Sequence, residues 1–168
     1  MNADGKIKVA VLGNTVYVKP LGYATQDNSL GLPGFLQAMS RQGCKQAIFD
    51  LADCQAMDST FLGVIASAAM SGVRGDAKNV LILNANEEAR RELQLVGLLP
   101  KVALKEEECE LPEEIEFSQI DFVHLPNDER ERVKRIKELH EELMKLNERN
   151  KENFASFVEM LNKELQED

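Results

Sequence analysis

The sequence predicts an α/β fold: a mixed β-sheet with helices packed on it, followed by a C-terminal α-helical hairpin. Three observations lead there. Short apolar, β-rich runs alternate with stretches of helical periodicity from about residue 5 to residue 104, the pattern of a sheet with crossover helices. The first two runs are separated only by Gly13-Asn14-Thr15, so one antiparallel pair opens an otherwise parallel arrangement. Beyond residue 126, two long segments each carry a single apolar stripe. The division is 1–104 for the sheet domain, 105–126 for an acidic linker and docking segment, and 127–168 for a helical extension.

The elements follow in chain order. Ile7 to Leu12 and Val16 to Leu21 form the opening hairpin, with Gly13 and Asn14 suited to the positive φ of a tight turn. Leu30, Leu32, Phe35, Leu36 and Met39 recur at helical spacing, with Pro33 tolerated in the first turn and Gly43 at the C-terminal end. Gln46 to Leu51 is the next strand. After a polar turn, a helix carries Phe61, Ile65, Ala68 and Gly72 on one face and Leu62, Ala66, Ala69 and Val73 on the next, apolar round most of its circumference and therefore buried. Asn79 to Asn84 reads as a strand buried on both faces. Asn86 caps a helix with Glu87 and Glu88 in its first turn, Gly97 ends it, and Lys101 to Leu104 is a last short strand.

The segment from Lys105 to Phe117 is rich in Glu and reads as a solvated linker, with Ile120, Phe122, Val123 and Leu125 able to dock as an extended piece. Pro126 then stops that run and Asn127 or Asp128 starts a helix, with Glu131 placed for a capping box from Asp128. One helix carries Val133, Ile136, Leu139, Leu143 and Leu146, and the other Phe154, Phe157, Val158, Leu161 and Leu165. Their stripes can meet each other, the sheet domain, or a second chain as a weak homodimer. His140 is expected on a helix surface.

The buried helix starts at a polar turn, where Asp58, Ser59 and Thr60 place hydroxyl and carboxylate groups beside backbone N–H groups that lack intrahelical partners. From spacing alone this is an ordinary N-cap. The run Met57-Asp58-Ser59-Thr60-Phe61-Leu62-Gly63-Val64-Ile65, after a strand ending in Asp50-Leu51, resembles the signature of the STAS domain, the fold of bacterial anti-sigma factor antagonists and of sulfate-transporter tails. The resemblance spans about residues 5 to 104. It departs from the family pattern at Phe61, where a small residue is usual, and at Gly22-Tyr23-Ala24-Thr25, where Gly-x-Leu-Asp is usual. It implies a STAS-like mixed sheet, a protein partner that is an anti-sigma factor or serine kinase, phosphorylation at Ser59, and partner binding through Asp58, Ser59, Thr60 and Phe61. A phosphoserine at a helix start meets N–H groups and the positive dipole end, while its −1.5 to −2 charge opposes docking. Thr60 ranks below Ser59 as an acceptor.

Composition narrows the classes. Residues 1–104 hold 10 Lys and Arg against 9 Asp and Glu, and residues 105–168 hold 10 against 20, so the net charge of −9 belongs to the tail. Acidic surface opposes nucleic-acid phosphate and anionic membranes, so neither is expected as a partner. No apolar run is long enough to span a bilayer and no signal-peptide pattern is present, so the chain is expected in the cytoplasm. Cys44, Cys54 and Cys109 form no metal-binding pattern and are expected as free thiols, with no cofactor and no metal.

Other readings compete for the same residues. Asp50, Asp53 and Asp58 could form the acidic pocket of a receiver domain, but the opening hairpin replaces the paired acids that such a site needs. No Gly-x-Ser-x-Gly elbow, Walker loop or His-Glu-x-x-His helix occurs, so no enzyme is expected. The alternatives to a phosphorylation switch are a non-switching STAS scaffold and a regulatory subunit binding a small ligand at the Ser59 turn.

Overall fold

The computed structural model describes residues 5–71, 78–120 and 124–167. The elements are β1 (Lys6–Leu12), β2 (Thr15–Ala24), α1 (Gln26–Ser29), α2 (Leu32–Arg41), β3 (Gln46–Asp50), β4 (Cys54–Met57), α3 (Ser59–Ser71), β5 (Val80–Leu83), α4 (Glu87–Leu95), a 3-10 turn (Leu99–Lys101), β6 (Ala103–Leu104), β7 (Ser118–Gln119), α5 (Glu129–Met144) and α6 (Glu148–Gln166). The expected mixed sheet, packed helices and helical hairpin are present. Gly72 and Val73 of the α3 pattern, and Phe122 and Val123 of the docking segment, lie outside the described residues.

The strands lie in the order β6-β5-β3-β2-β1-β7, with β4 also pairing with β2. β1 and β2 are antiparallel from Leu12↔Thr15 to Lys6↔Leu21, joined at Gly13, whose φ of 63° is open to glycine at little cost. β3 joins β2 in parallel from Thr15 to Val18, and β4 joins it from Gly22 to Ala24. Pro20 sits in the stretch between those two pairings, where a missing N–H costs the sheet least. β5 and β6 continue the parallel half.

Alternate residues of the strands feed two apolar layers. Val9, Val18, Phe49 and Ile82 face the helices, whereas Ala10, Tyr17, Ile48 and Leu83 face the other way. Helices α2 to α6 contribute to the first layer, with Phe61 of α3 set edge-on to Phe49 at 6.0 Å. The second layer is covered by Cys109, Leu111, Ile115 and Phe117, drawn from the segment expected to be a solvated linker. Its glutamates remain exposed, but the segment is a strap: Asn84 and the Cys109 backbone exchange two hydrogen bonds of 2.9 Å, and β7 pairs with β1.

Helix α3 is apolar nearly all round because it is a middle layer. The sheet lies on one side, and α5 packs along the other. A Cβ on Gly63 would stand 2.6 Å from the Leu139 carbonyl oxygen and 2.9 Å from the Leu139 Cβ, so the two backbones touch where glycine allows it. Val133, Ile136, Leu139, Leu143 and Leu161 thereby join the same core as Phe49 and Phe61. Each hairpin helix starts on a side-chain cap, Asp128 accepting from Glu131 N and Asn147 from Asn150 N, both at 2.8 Å. No helix among the described residues is long and apolar enough to cross a membrane.

Candidate functional site

The turn before α3 contains a strand that local pattern does not announce. Cys54 and Met57 are buried while Gln55 is exposed, and Gly22 donates to the Asp53 carbonyl, so the expected polar turn becomes β4 at the end of β2. Burial also drives the Cys54 thiol up to about 11, which keeps it protonated. All three cysteines are free.

Asp58 follows β4 and organises the helix start. Its Oδ1 accepts from Phe61 N at 3.0 Å, the geometry of an N-cap, and its Oδ2 accepts from Gln26 N at 2.7 Å. One carboxylate thus ties the starts of α1 and α3 together, while the Asp58 N–H is donated to the Ala24 carbonyl at 3.0 Å. Ser59 is the first residue of α3.

Asp50 and Asp53 lie elsewhere. Asp50 is 3 % exposed and accepts from Ala52 N and Asn84 Nδ2, and Lys19 stands 3.5 Å from Asp50 and 3.4 Å from Asp53. The three aspartates therefore serve different structures: a strand end with its lysine, a loop, and a helix cap. No group of His, Cys, Asp or Glu able to hold a metal is found among the described residues.

The expectation of an open helix start is corrected. Ser59 is half-buried, and its Oγ lies 2.8 Å from His140 Nε2, 81 residues away in α5. Thr60 and Phe61, expected to meet a partner, are 2 % and 0 % exposed and point into the core, so in this conformation they present no surface. His140, expected on a helix surface, is also 2 % exposed. It completes an apolar stripe with Val133, Ile136 and Leu143 at spacings of three, four and three, the one sequence signal that reveals its burial. The rings of Phe154 and Phe157 stand edge-on to it at 5.3 and 4.8 Å.

The proton positions follow from the partners. His140 Nδ1 is 2.8 Å from the Ile136 carbonyl oxygen. A carbonyl only accepts, so Nδ1 carries the hydrogen, and in the neutral ring Nε2 is then an acceptor for the Ser59 hydroxyl. A serine donating to an oriented imidazole is also the first step of nucleophile activation. Here the ring is sealed between α3 and α6, and the large groove bordered by Pro33, Gln37, Ser67 and Glu138 is lined by neither Ser59 nor His140. The pair joins α3 to α5.

Burial holds the His140 imidazole below its ordinary value of 6.5, against the opposing pull of the Ile136 carbonyl and the Asp58 charge. The unfolded chain therefore binds this proton at a pH where the folded chain does not. The stability linked to the neutral ring is fully present above 6.5 and is lost as pH falls from 6.5 toward the lower folded value. The Glu92 carboxyl, raised by its own burial, acts with the opposite sign above 4.5, so the His140 contribution is read as a difference. Wild type should lose up to about 1 kcal/mol relative to His140→Gln on going from about pH 6.5 to 5.5 in urea titrations. Parallel curves would show the ring to be solvated.

The fold and site together define an α/β module with a mixed sheet and a serine at the start of its central helix. No protein-family model and no curated protein matches the chain. Among solved structures the chain is similar to the Bacillus cell fate determinant SpoIIAA in its phosphorylated form, at 19% identity and a TM-score of 0.48, over 60% of this chain and 92% of that one. It is likewise similar to the anti-sigma factor antagonist SpoIIAA in its unphosphorylated form, at 14% identity and a TM-score of 0.48, over 60% of this chain and 88% of that one.

Proposed function

We propose that this chain is a regulatory protein-binding module, akin to an anti-sigma factor antagonist, that docks an anti-sigma factor or serine kinase around Asp58 and Ser59 and is switched by phosphorylation at Ser59. The observation that supports it most is the position of Ser59: the residue directly after the Asp58 cap, within the run that resembles the STAS signature, at the start of a helix that is core from Thr60 to Ala66. A phosphate there adds charge at the start of α3, where it opposes docking. The module acts by binding and has no turnover of its own.

Ser59→Ala should retain the partner and take no phosphate, while Ser59→Asp should weaken binding by about tenfold or more, as a charge left in a docking surface does. Co-purification from native cells with intact-mass measurement checks both. If the two variants bind the native partner as wild type does, the switch is wrong. A second reading, a non-switching scaffold, is favoured by the engagement of the Ser59 hydroxyl with His140. The absence of phosphate on Ser59 under every growth condition would select it.

A further inference from the structure

We infer that the α5–α6 hairpin is a latch over Ser59: the residue 59 side chain is freed for reaction only when the hairpin leaves α3. The consequence for phosphorylation rests on the function proposed above, but the latch itself rests on packing. The Ser59 hydroxyl is directed at His140 Nε2, 2.8 Å away on a ring that is 2 % exposed. One turn further along α3, Gly63 lies against the Leu139 backbone. Ser59 keeps part of its surface, but its hydroxyl is taken up by the ring, and a phosphoryl group in that direction would have to displace it. Phosphorylation removes the hydroxyl hydrogen that His140 Nε2 accepts, and phosphate oxygens are acceptors too, so the neutral ring loses its partner. Hairpin docking and a modified Ser59 therefore oppose each other, and by linkage a phosphate once formed would hold the hairpin off.

Besides the Ser59–His140 contact, polar ties join both helices of the hairpin to the rest of the chain. Arg135 Nη1 donates to the carbonyls of Leu30 and His124, and Asn150 Nδ2 donates to the Val96 carbonyl at 2.8 Å. The strap that leads to it is fastened separately, through the Asn84–Cys109 bonds and the β1–β7 pairing. The hairpin can thus detach while the strap stays on the sheet as its tether.

The test uses the full chain with Ser59→Cys, an aromatic disulfide reagent as probe, and fragment-ion mass spectrometry to separate residue 59 from Cys54. Hydrogen exchange of α5 is followed in parallel. Labelling in the folded chain should be at least about a hundredfold slower than in urea, as for a site exposed only by local opening. Arg135→Ala should speed labelling and α5 exchange together by about 10- to 100-fold, the range for lost hydrogen bonds to a charged group. Asn150→Ala serves in the same way if the arginine variant does not fold. Labelling at the urea rate in the folded chain, or faster α5 exchange with unchanged labelling, overturns the latch. Labelling and exchange that move together support it whether or not phosphate is ever found on Ser59, and an absence of phosphate overturns the switch alone.

Discussion

Gly63→Ala should destabilise the chain by about 1–3 kcal/mol and Gly63→Val by more, with the loss concentrated in the hairpin. The added carbon would meet the Leu139 carbonyl oxygen at 2.6 Å, its Cβ at 2.9 Å and its carbonyl carbon at 3.0 Å, and backbone cannot rotate aside as a side-chain tip can. Alanine gains about 1 kcal/mol of helix propensity over glycine in a helix interior, so a net loss means that the clash exceeds that gain. Relief requires α5 to move away, which also separates His140 from Ser59 and lets the ring return toward 6.5. Urea denaturation gives the first effect and the titration of the His140 resonance the second. A Gly63→Ala chain as stable as wild type, with an unmoved His140 titration, would show that the close approach does not set the hairpin's position.

Ending the chain at Pro126 should lower stability more than any single substitution. Val133, Ile136, Leu139, Leu143 and Leu161 belong to the same buried cluster as Phe49 and Phe61, and each such side chain contributes about 1.5–3 kcal/mol on burial. Removing them bares the outer side of α3, including Gly63, Val64 and the rim at Ser67. We expect the shortened chain to keep its mixed sheet, to unfold at a much lower urea concentration, and to self-associate through the bared helix. Ending at Leu104 should be worse, because the strap over Ala10, Tyr17, Ile48 and Leu83 goes as well. Sedimentation of the full and shortened chains also tests for a weak homodimer through the C-terminal helices. The proposed boundary at Leu104 fails if that fragment does not fold. If it is instead a monomer with the full chain's stability, the hairpin adds nothing to the core.

What the sequence determined by itself is what acts over a few residues. The caps at Asn86 and Asp128 bind N–H groups three positions on, the Gly13 turn sets the hairpin register, and the apolar runs of β3 and β5 mark the buried centre of the sheet. The all-round apolar character of α3 foretold its burial, and Asp58 with Ser59 marked where it begins. The strand β4 escaped because four residues with a polar interior resemble a turn until β2 is there to pair with them. The strap escaped because its apolar residues are spaced among glutamates at no regular period, and only the exposed second face of the sheet gives them a place. Above all, no local rule joins Ser59 to His140. Both lie on helices whose periodicity is legible, but the 2.8 Å contact exists only because Gly63 lets α5 approach α3 closely enough for a hydroxyl and an imidazole 81 residues apart to meet. Whether a helix-start serine faces solvent or is held by a buried ring is settled by the packing of helices, and that is decided in three dimensions.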